Sequence, residues 1–315
     1  MAKGYGKRVL GALRSLDDLS RSEAPGLSSY PRVLGRDFSG EVLAVGRGVT
    51  RVRPGDEVWG ALYPSAEGSH QEICVASEDS VSLKPRSVTH LNAASVPYAG
   101  LTAWAGLQTA AVRRGQRVMV VGGAGGVGSL ATQILARYYN CHVTVLASKR
   151  HHQFVSELGA KTIIDNREDP ESINDLENMD VILDCAGIGL ERMRDHLSLG
   201  SVLSRGGRLV SFSSPVLNNT DRLGLVPGVV TSLASLAKSN RDLCSHSESW
   251  GFFQIDTKAL ELLARLLEQE IIVPTVSKVL KFSQVGEAYD DALDSGKTVI
   301  DLENIDSVES LENRN

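Results

Sequence analysis

Apolar and polar positions along this 315-residue chain change rhythm twice. From residue 32 to about 85 the apolar residues come in short runs punctuated by glycine. Gly40-Glu-Val-Leu-Ala-Val-Gly46 alternates with period two, Arg53-Pro-Gly-Asp56 has turn chemistry, and Glu57-Val-Trp-Gly60 opens another strand. From His90 the texture becomes mixed. A helical segment over 91–110 leads into a β-rich run at 118–121, and a helical pattern follows over 129–137. Strands at 142–147, 162–165, 180–185 and 208–212 then alternate with helices at 149–158, 170–177 and 190–203. Strongly apolar strands alternating with helices predict a parallel sheet covered on both faces. A further helix over 256–268 places Leu260, Leu263, Ala264 and Leu267 on one face. β-like runs return at 274–282 and 297–302. The fold class is therefore α/β, a doubly wound parallel sheet over 91–271 with a smaller β domain built from 1–90 and 272–303. Residues 304–315 are polar and acidic, the composition of a disordered tail.

Between the run at 118–121 and the helix stands Gly122-Gly-Ala-Gly-Gly-Val-Gly128, in which Gly123, Gly125 and Gly128 satisfy G-x-G-x-x-G. The first glycine lets the chain turn off the strand, the second admits a pyrophosphate to the backbone, and the third lets helix and strand pack closely. Free N–H groups and the helix dipole then favour the phosphates. A strand before, a helix after and a second strand at the right distance turn a weak motif into a dinucleotide site. About 20 residues past Gly128, where an NAD site carries an acid for the ribose 2′-hydroxyl, stands Ser148-Lys149-Arg150, and the next acid is Glu157. A hydroxyl, an ammonium and a guanidinium attract a 2′-phosphate, so the expected cofactor is NADPH rather than NADH.

Composition narrows the classes. Thirty-three basic against 38 acidic residues give a net charge of −5, the wrong sign for a nucleic-acid binder. No apolar run approaches the roughly 18 residues that span a bilayer. Cys74, Cys141, Cys185 and Cys244 are scattered without a C-x-x-C pair, which favours a reducing compartment and no structural zinc. His151 and His152 read as surface or cofactor-edge residues, and no metal site is expected. Near the start, Lys3, Lys7, Arg8 and Arg14 precede the first acid, Asp17, and Val9, Leu13 and Leu16 fall on one helical face. That pattern suits either an organelle presequence or an ordinary element of the first domain.

Three segments together resemble the medium-chain dehydrogenase/reductase superfamily: Leu34-Gly-Arg-Asp-Phe-Ser-Gly-Glu-Val42, Val52-Arg-Pro-Gly-Asp-Glu-Val-Trp-Gly60, and Pro97-Tyr-Ala-Gly-Leu-Thr-Ala-Trp104. The zinc branch would carry His-Glu after Gly35, where this chain has Arg36-Asp37, so the resemblance is to the zinc-free quinone oxidoreductase branch. Asn218-Asn-Thr-Asp-Arg-Leu-Gly224, Ser249-Trp-Gly-Phe-Phe253 and Gly296-Lys-Thr-Val-Ile300 are similar to a mitochondrial subgroup of it. The resemblance implies a Rossmann domain and a GroES-like β domain. Because the match begins near Gly4-Tyr5-Gly6, it also implies a GroES-like domain shortened at its N-terminus.

It further implies that Ala124, Gly125, Gly126 and Val127 touch the pyrophosphate, and that Ser148 meets the 2′-phosphate. Asn166, where the family usually has tyrosine, would lie near the adenosine phosphate. Cys185 and Phe212 would flank the ribose and nicotinamide, with core packing as the alternative, and Phe252 and Phe253 would close over the nicotinamide end. Tyr5, Tyr63 and Tyr98 are candidate proton donors or slot walls, Tyr98 being equally well a packed side chain. Arg36 and Asp37 read as a structural ion pair, with substrate orientation by Asp37 as the alternative. The expected activity is hydride transfer from NADPH to a quinone or conjugated carbonyl, with a link to ubiquinone metabolism. An NADPH-binding regulatory or interaction protein with little catalysis is the alternative. Resemblance also suggests a homodimer, a reticulon-type membrane protein as partner and a mitochondrial location, or a cytoplasmic one if the leader is truly absent.

Overall fold

The computed structural model describes residues 11–13, 33–64, 66–165, 176, 178–188, 202–213, 219, 225–242, 247–290 and 295–302. Nearly all of the expected helices over 170–177 and 190–203, and the tail over 304–315, lie outside these residues.

The first part of the chain is β. It contains β1 (Gly11–Leu13), β2 (Asp37–Glu41), β3 (Glu57–Ala61) and β4 (Val81–Leu83). Strands β2, β3 and β4 form an antiparallel meander. The period-two pattern over 40–46 predicted a longer strand, but β2 ends at Glu41. Its partner β3 begins only after the Arg53–Asp56 turn, so residues beyond Glu41 have no ladder to join; Val42 instead bonds across the turn to Asp56 and Gly55.

Two helices follow, α1 (His90–Ala94) and α2 (Pro97–Thr109). The apolar pattern over 91–110 predicted one helix. Pro97 breaks it, because it brings no N–H to donate to the Ala93 carbonyl, which the Val96 amide takes instead. The larger sheet is parallel and comprises β5 (Arg117–Val121), β6 (His142–Leu146), β7 (Thr162–Ile164), β8 (Met179–Asp184), β9 (Leu203–Ser211) and β10 (Ser247–Trp250). Helices α3 (Gly126–Gln133), α4 (His152–Glu157) and α5 (Leu225–Asp242) lie between these strands in sequence, and a π-helical turn over Ile134–Tyr138 continues α3.

Sheet order is β10-β9-β8-β5-β6-β7. The chain thus reverses direction between β5 and β8, which opens a crevice at the carboxyl ends of these strands. β9 starts at Leu203, where the sequence predicted the end of a helix. It passes through Gly206 at φ +81 and shifts register against β8, which lets a nine-residue strand continue past an irregular pairing.

α6 (Thr257–Glu268) matches its predicted extent. Asp256 caps it by accepting from the Lys258 and Ala259 amides, and Leu260, Leu263 and Leu267 are buried. Such a cap contributes about 1 kcal/mol. The chain then returns through β11 (Val276–Lys281), α7 (Glu287–Asp290) and β12 (Lys297–Asp301). β12 lies between β1 and β11 in a separate three-stranded sheet, and Ile300 packs into the core of Phe38, Val58 and Leu62. Among the described residues no helix is long and apolar enough to cross a membrane.

Candidate functional site

The glycine turn sits at the end of β5, beside the crevice. Gly122 takes φ +78. A Cβ on Gly123 would stand 2.4 Å from Val145 Cγ1, and one on Gly128 would stand 2.2 Å from the Gly122 carbonyl oxygen. Helix and strand therefore meet at backbone contact, which any side chain would prevent. Gly125 is the N-cap of α3 and offers no side-chain cap, so the first-turn amides of α3 are left for a ligand. These residues form a cradle that fits a dinucleotide pyrophosphate.

Chain segments far apart in sequence clamp this turn. The Gly296 amide donates to the Ala124 carbonyl at 2.8 Å. Next to it the Lys297 stem lies against Gly126, where an added Cβ would be 2.8 Å from Cδ. Lys297 Nζ reaches Asp37 at 3.1 Å, both side chains almost wholly buried. The other oxygen of Asp37 accepts from the Tyr98 amide at the start of α2. Burial pushes the Asp37 carboxyl up, and the Lys297 ammonium and Tyr98 amide oppose that shift. The sequence suggested an ion pair between Asp37 and Arg36. Arg36 instead donates to the carbonyls of Tyr63, Pro64 and Ala66.

At the end of β6, Ser148 Oγ is 3.1 Å from His151 Nδ1, and Lys149 and Arg150 are exposed. Sequence reasoning found no acid here. The structure brings one from the neighbouring strand: Asp165, just past β7, accepts from the Lys149 amide at 2.6 Å. Asp165 is buried, so its charge is directed at the backbone rather than presented to solvent.

Cys185 follows β8, half-buried, with its amide on the Val121 carbonyl at 3.0 Å. Burial and the neighbouring Asp184 charge push its thiol up, which keeps it protonated. Phe212 follows β9. Its ring fills a gap between two glycines, for a Cβ on Gly106 would lie 2.2 Å from its Cζ and one on Gly251 would lie 2.7 Å from its Cε1. Phe253 stacks on Tyr98 with centroids 4.2 Å apart, next to the Asp37 contact. Phe252 is 48% exposed and meets Trp250 edge-on at 6.4 Å. Tyr63 stands apart from these residues in its bonding: its hydroxyl donates to Asp79 at 2.7 Å, and that carboxylate raises the phenol. Tyr5 and Asn166 lie outside the described residues.

The residues do not fit a zinc centre. Arg36 occupies the position after Gly35 and its guanidinium is filled by carbonyls. Among the described residues no three His, Cys, Asp or Glu side chains come together to hold a metal.

Two family profiles match the chain, the alcohol dehydrogenase GroES-like domain over residues 14–86 and the zinc-binding dehydrogenase over residues 158–299. The zebrafish (Danio rerio) protein named NAD(P)H oxidoreductase RTN4IP1, mitochondrial, is 36% identical over 314 residues, 96% of this chain and 79% of that protein. The Caenorhabditis elegans protein named reticulon-4-interacting protein 1, mitochondrial, is 31% identical over 313 residues, 95% of this chain and 83% of that one. The solved quinone oxidoreductase of Coxiella burnetii superposes with a TM-score of 0.76 at 27% identity, covering 94% of this chain and 89% of its own.

Proposed function

We propose a function from one premise: this chain belongs to the medium-chain dehydrogenase/reductase superfamily. It is an NAD(P)H-dependent oxidoreductase of that superfamily. Our finer reading is that NADPH is the hydride donor and a quinone or conjugated carbonyl the acceptor. One observation carries it: backbone contact between Gly122 and Gly128 leaves the bare first turn of α3 at the sheet's crevice, with Ser148-Lys149-Arg150 at the end of the adjacent strand.

The bound nicotinamide supplies the hydride. The chain's own residues bind, orient and exclude water. The amides following Gly125 hold the pyrophosphate, and the Ser148 hydroxyl with the Lys149 ammonium holds the 2′-phosphate. Cys185 lines the ribose and nicotinamide stretch. The Asp37–Lys297 pair fixes the glycine turn against α2, and thereby against the Tyr98–Phe253 stack. That stack offers a flat apolar wall suited to a quinone ring and keeps water from the reacting centre. Phe252, beside it in sequence and exposed, is suited to closing over the nicotinamide. Relatives named mitochondrial and reticulon-4-interacting support a mitochondrial location and a reticulon-type partner. Reduction of a ubiquinone-like acceptor agrees with both.

The test is a fluorescence titration with NADPH and NADH, followed by NADPH oxidation with a panel of quinones and enones. Tight NADPH binding with quinone turnover is expected. Ser148→Glu should weaken NADPH at least tenfold and spare NADH, since it sets a carboxylate against a dianion. Unchanged NADPH affinity in that variant overturns the 2′-phosphate assignment. Tight binding without turnover of any acceptor would favour a regulatory role.

A further inference from the structure

The opposite end of the large sheet, where its strands begin, carries a second polar hollow. Arg117 opens β5, His142 opens β6, and Lys161 directly precedes β7. Register sets Arg117 beside His142 and Thr144 beside Thr162. Neighbouring strands lie about 4.8 Å apart, so the three basic side chains stand within about 10 Å of one another. Thr144 is two residues along β6 from His142 and shares its face. These side chains line a hollow of about 250 Å³.

Lys161 Nζ donates to His142 Nδ1 at 3.4 Å, which leaves Nε2 as the imidazole's own donor. Among the described residues no carboxylate pairs with the Arg117 guanidinium or the Lys161 ammonium. Asp180 is the acid bonded to this end of β5, and its oxygens are engaged elsewhere than on the guanidinium: one accepts from the Arg117 amide at 2.9 Å, the other from Ser204 at 3.5 Å. Thr144 is only 5% exposed, and its hydroxyl has no partner among the described residues. That hydroxyl is open to the hollow, where it can donate to a bound anion. The surplus of positive charge here also runs against the net charge of −5 of the whole chain.

We propose that this hollow binds a small phosphate-bearing anion, inorganic phosphate or a short phosphomonoester, at a site separate from the dinucleotide edge. The Arg117 guanidinium supplies a planar fork, Lys161 a point charge, and Thr144, Thr162 and His142 further donors. The hollow, about 250 Å³, matches a small anion in size.

Calorimetric titration with inorganic phosphate and with glycerol phosphate tests this, in chloride buffer of matched ionic strength and with NADPH saturating so that the glycine turn is occupied. One anion per chain should bind. Arg117→Gln and Lys161→Gln, both at exposed side chains, should each weaken it about tenfold, and Thr144→Val about threefold, while thermal melts confirm folding. Phosphate binding alone identifies a free-phosphate site, and tighter glycerol phosphate a monoester site. No binding, or wild-type affinity in all three variants, overturns the proposal. The same titration without NADPH reads the same variant dependence, so failure of the cofactor reading and failure of this one are told apart.

Discussion

Replacing Gly128 with alanine tests the glycine turn at its tightest point. The new methyl would stand 2.2 Å from the Gly122 oxygen, 2.8 Å from the Gly123 Cα and 2.9 Å from the Gly122 carbonyl carbon. All three are backbone atoms, so no side chain can swing aside. Carbon contacts relax near 3.5 Å, hence α3 must retreat from β5 by about 1 Å. Overpacking of this kind costs about 1–3 kcal/mol of stability. The same displacement moves the first-turn amides of α3 off the pyrophosphate. Hydrogen bonds to a charged group are worth about 1.5–3 kcal/mol, so losing one weakens the cofactor at least tenfold. Gly286→Ala is the control, for its Cβ meets nothing within 4 Å; it should change stability by less than about 0.5 kcal/mol. Urea denaturation and NADPH fluorescence titration read both quantities. A Gly128→Ala protein with wild-type stability and NADPH affinity would show that α3 and β5 are not held in backbone contact at the cofactor turn.

Other outcomes follow from the buried groups. Lys297→Met strands the Asp37 carboxylate and should cost about 3–5 kcal/mol in denaturant melts, whereas Asp37→Leu with Lys297→Met should recover much of that loss. His70 is 8% exposed with Nε2 unpaired among the described residues, and burial together with the Arg36 charge lowers it from 6.5 to about 4. The unfolded chain therefore takes up this proton first as pH falls. The stability due to neutral His70 is present above pH 6.5 and is lost toward pH 4, about 3 kcal/mol in all. Urea midpoints across that range should show the slope, and His70→Leu should flatten it. Tyr63→Phe should slow quinone reduction less than about twofold, because the phenol proton is held by Asp79 on a side chain 40% exposed. A larger drop in kcat would restore Tyr63 as a proton donor.

What the sequence disclosed depends on how locally each feature is determined. The glycine turn and α6 are read directly, one because only glycine fits against Val145 at Gly123 and against backbone at Gly128, the other because leucine periodicity and an Asp256 cap coincide. α5 escapes that reading. Its buried positions include Gly228 and Ser232, while Val226, Val230 and Leu233 face outward, so its apolar stripe points away from the core. β10 is a short edge strand, Ser-Glu-Ser-Trp, with little apolar pattern to detect. At the site, Lys297 meets Asp37 across 260 residues, a pairing set by where β12 returns rather than by anything local. Asp165 reaches the Ser148 turn because β7 pairs with β6, and its distance in sequence hid it. A signal was available in Pro97, whose ring marks the break between α1 and α2.

Asp165 also sharpens the central claim, since a carboxylate near the proposed 2′-phosphate pocket would favour NADH if it faced the ligand. Here it faces the Lys149 amide. Paired fluorescence titrations of the purified protein with NADPH and NADH under identical salt decide the matter. NADPH should bind tighter by about tenfold or more, the worth of one charge-assisted contact. Equal affinities, a preference for NADH, or no binding of either would contradict it.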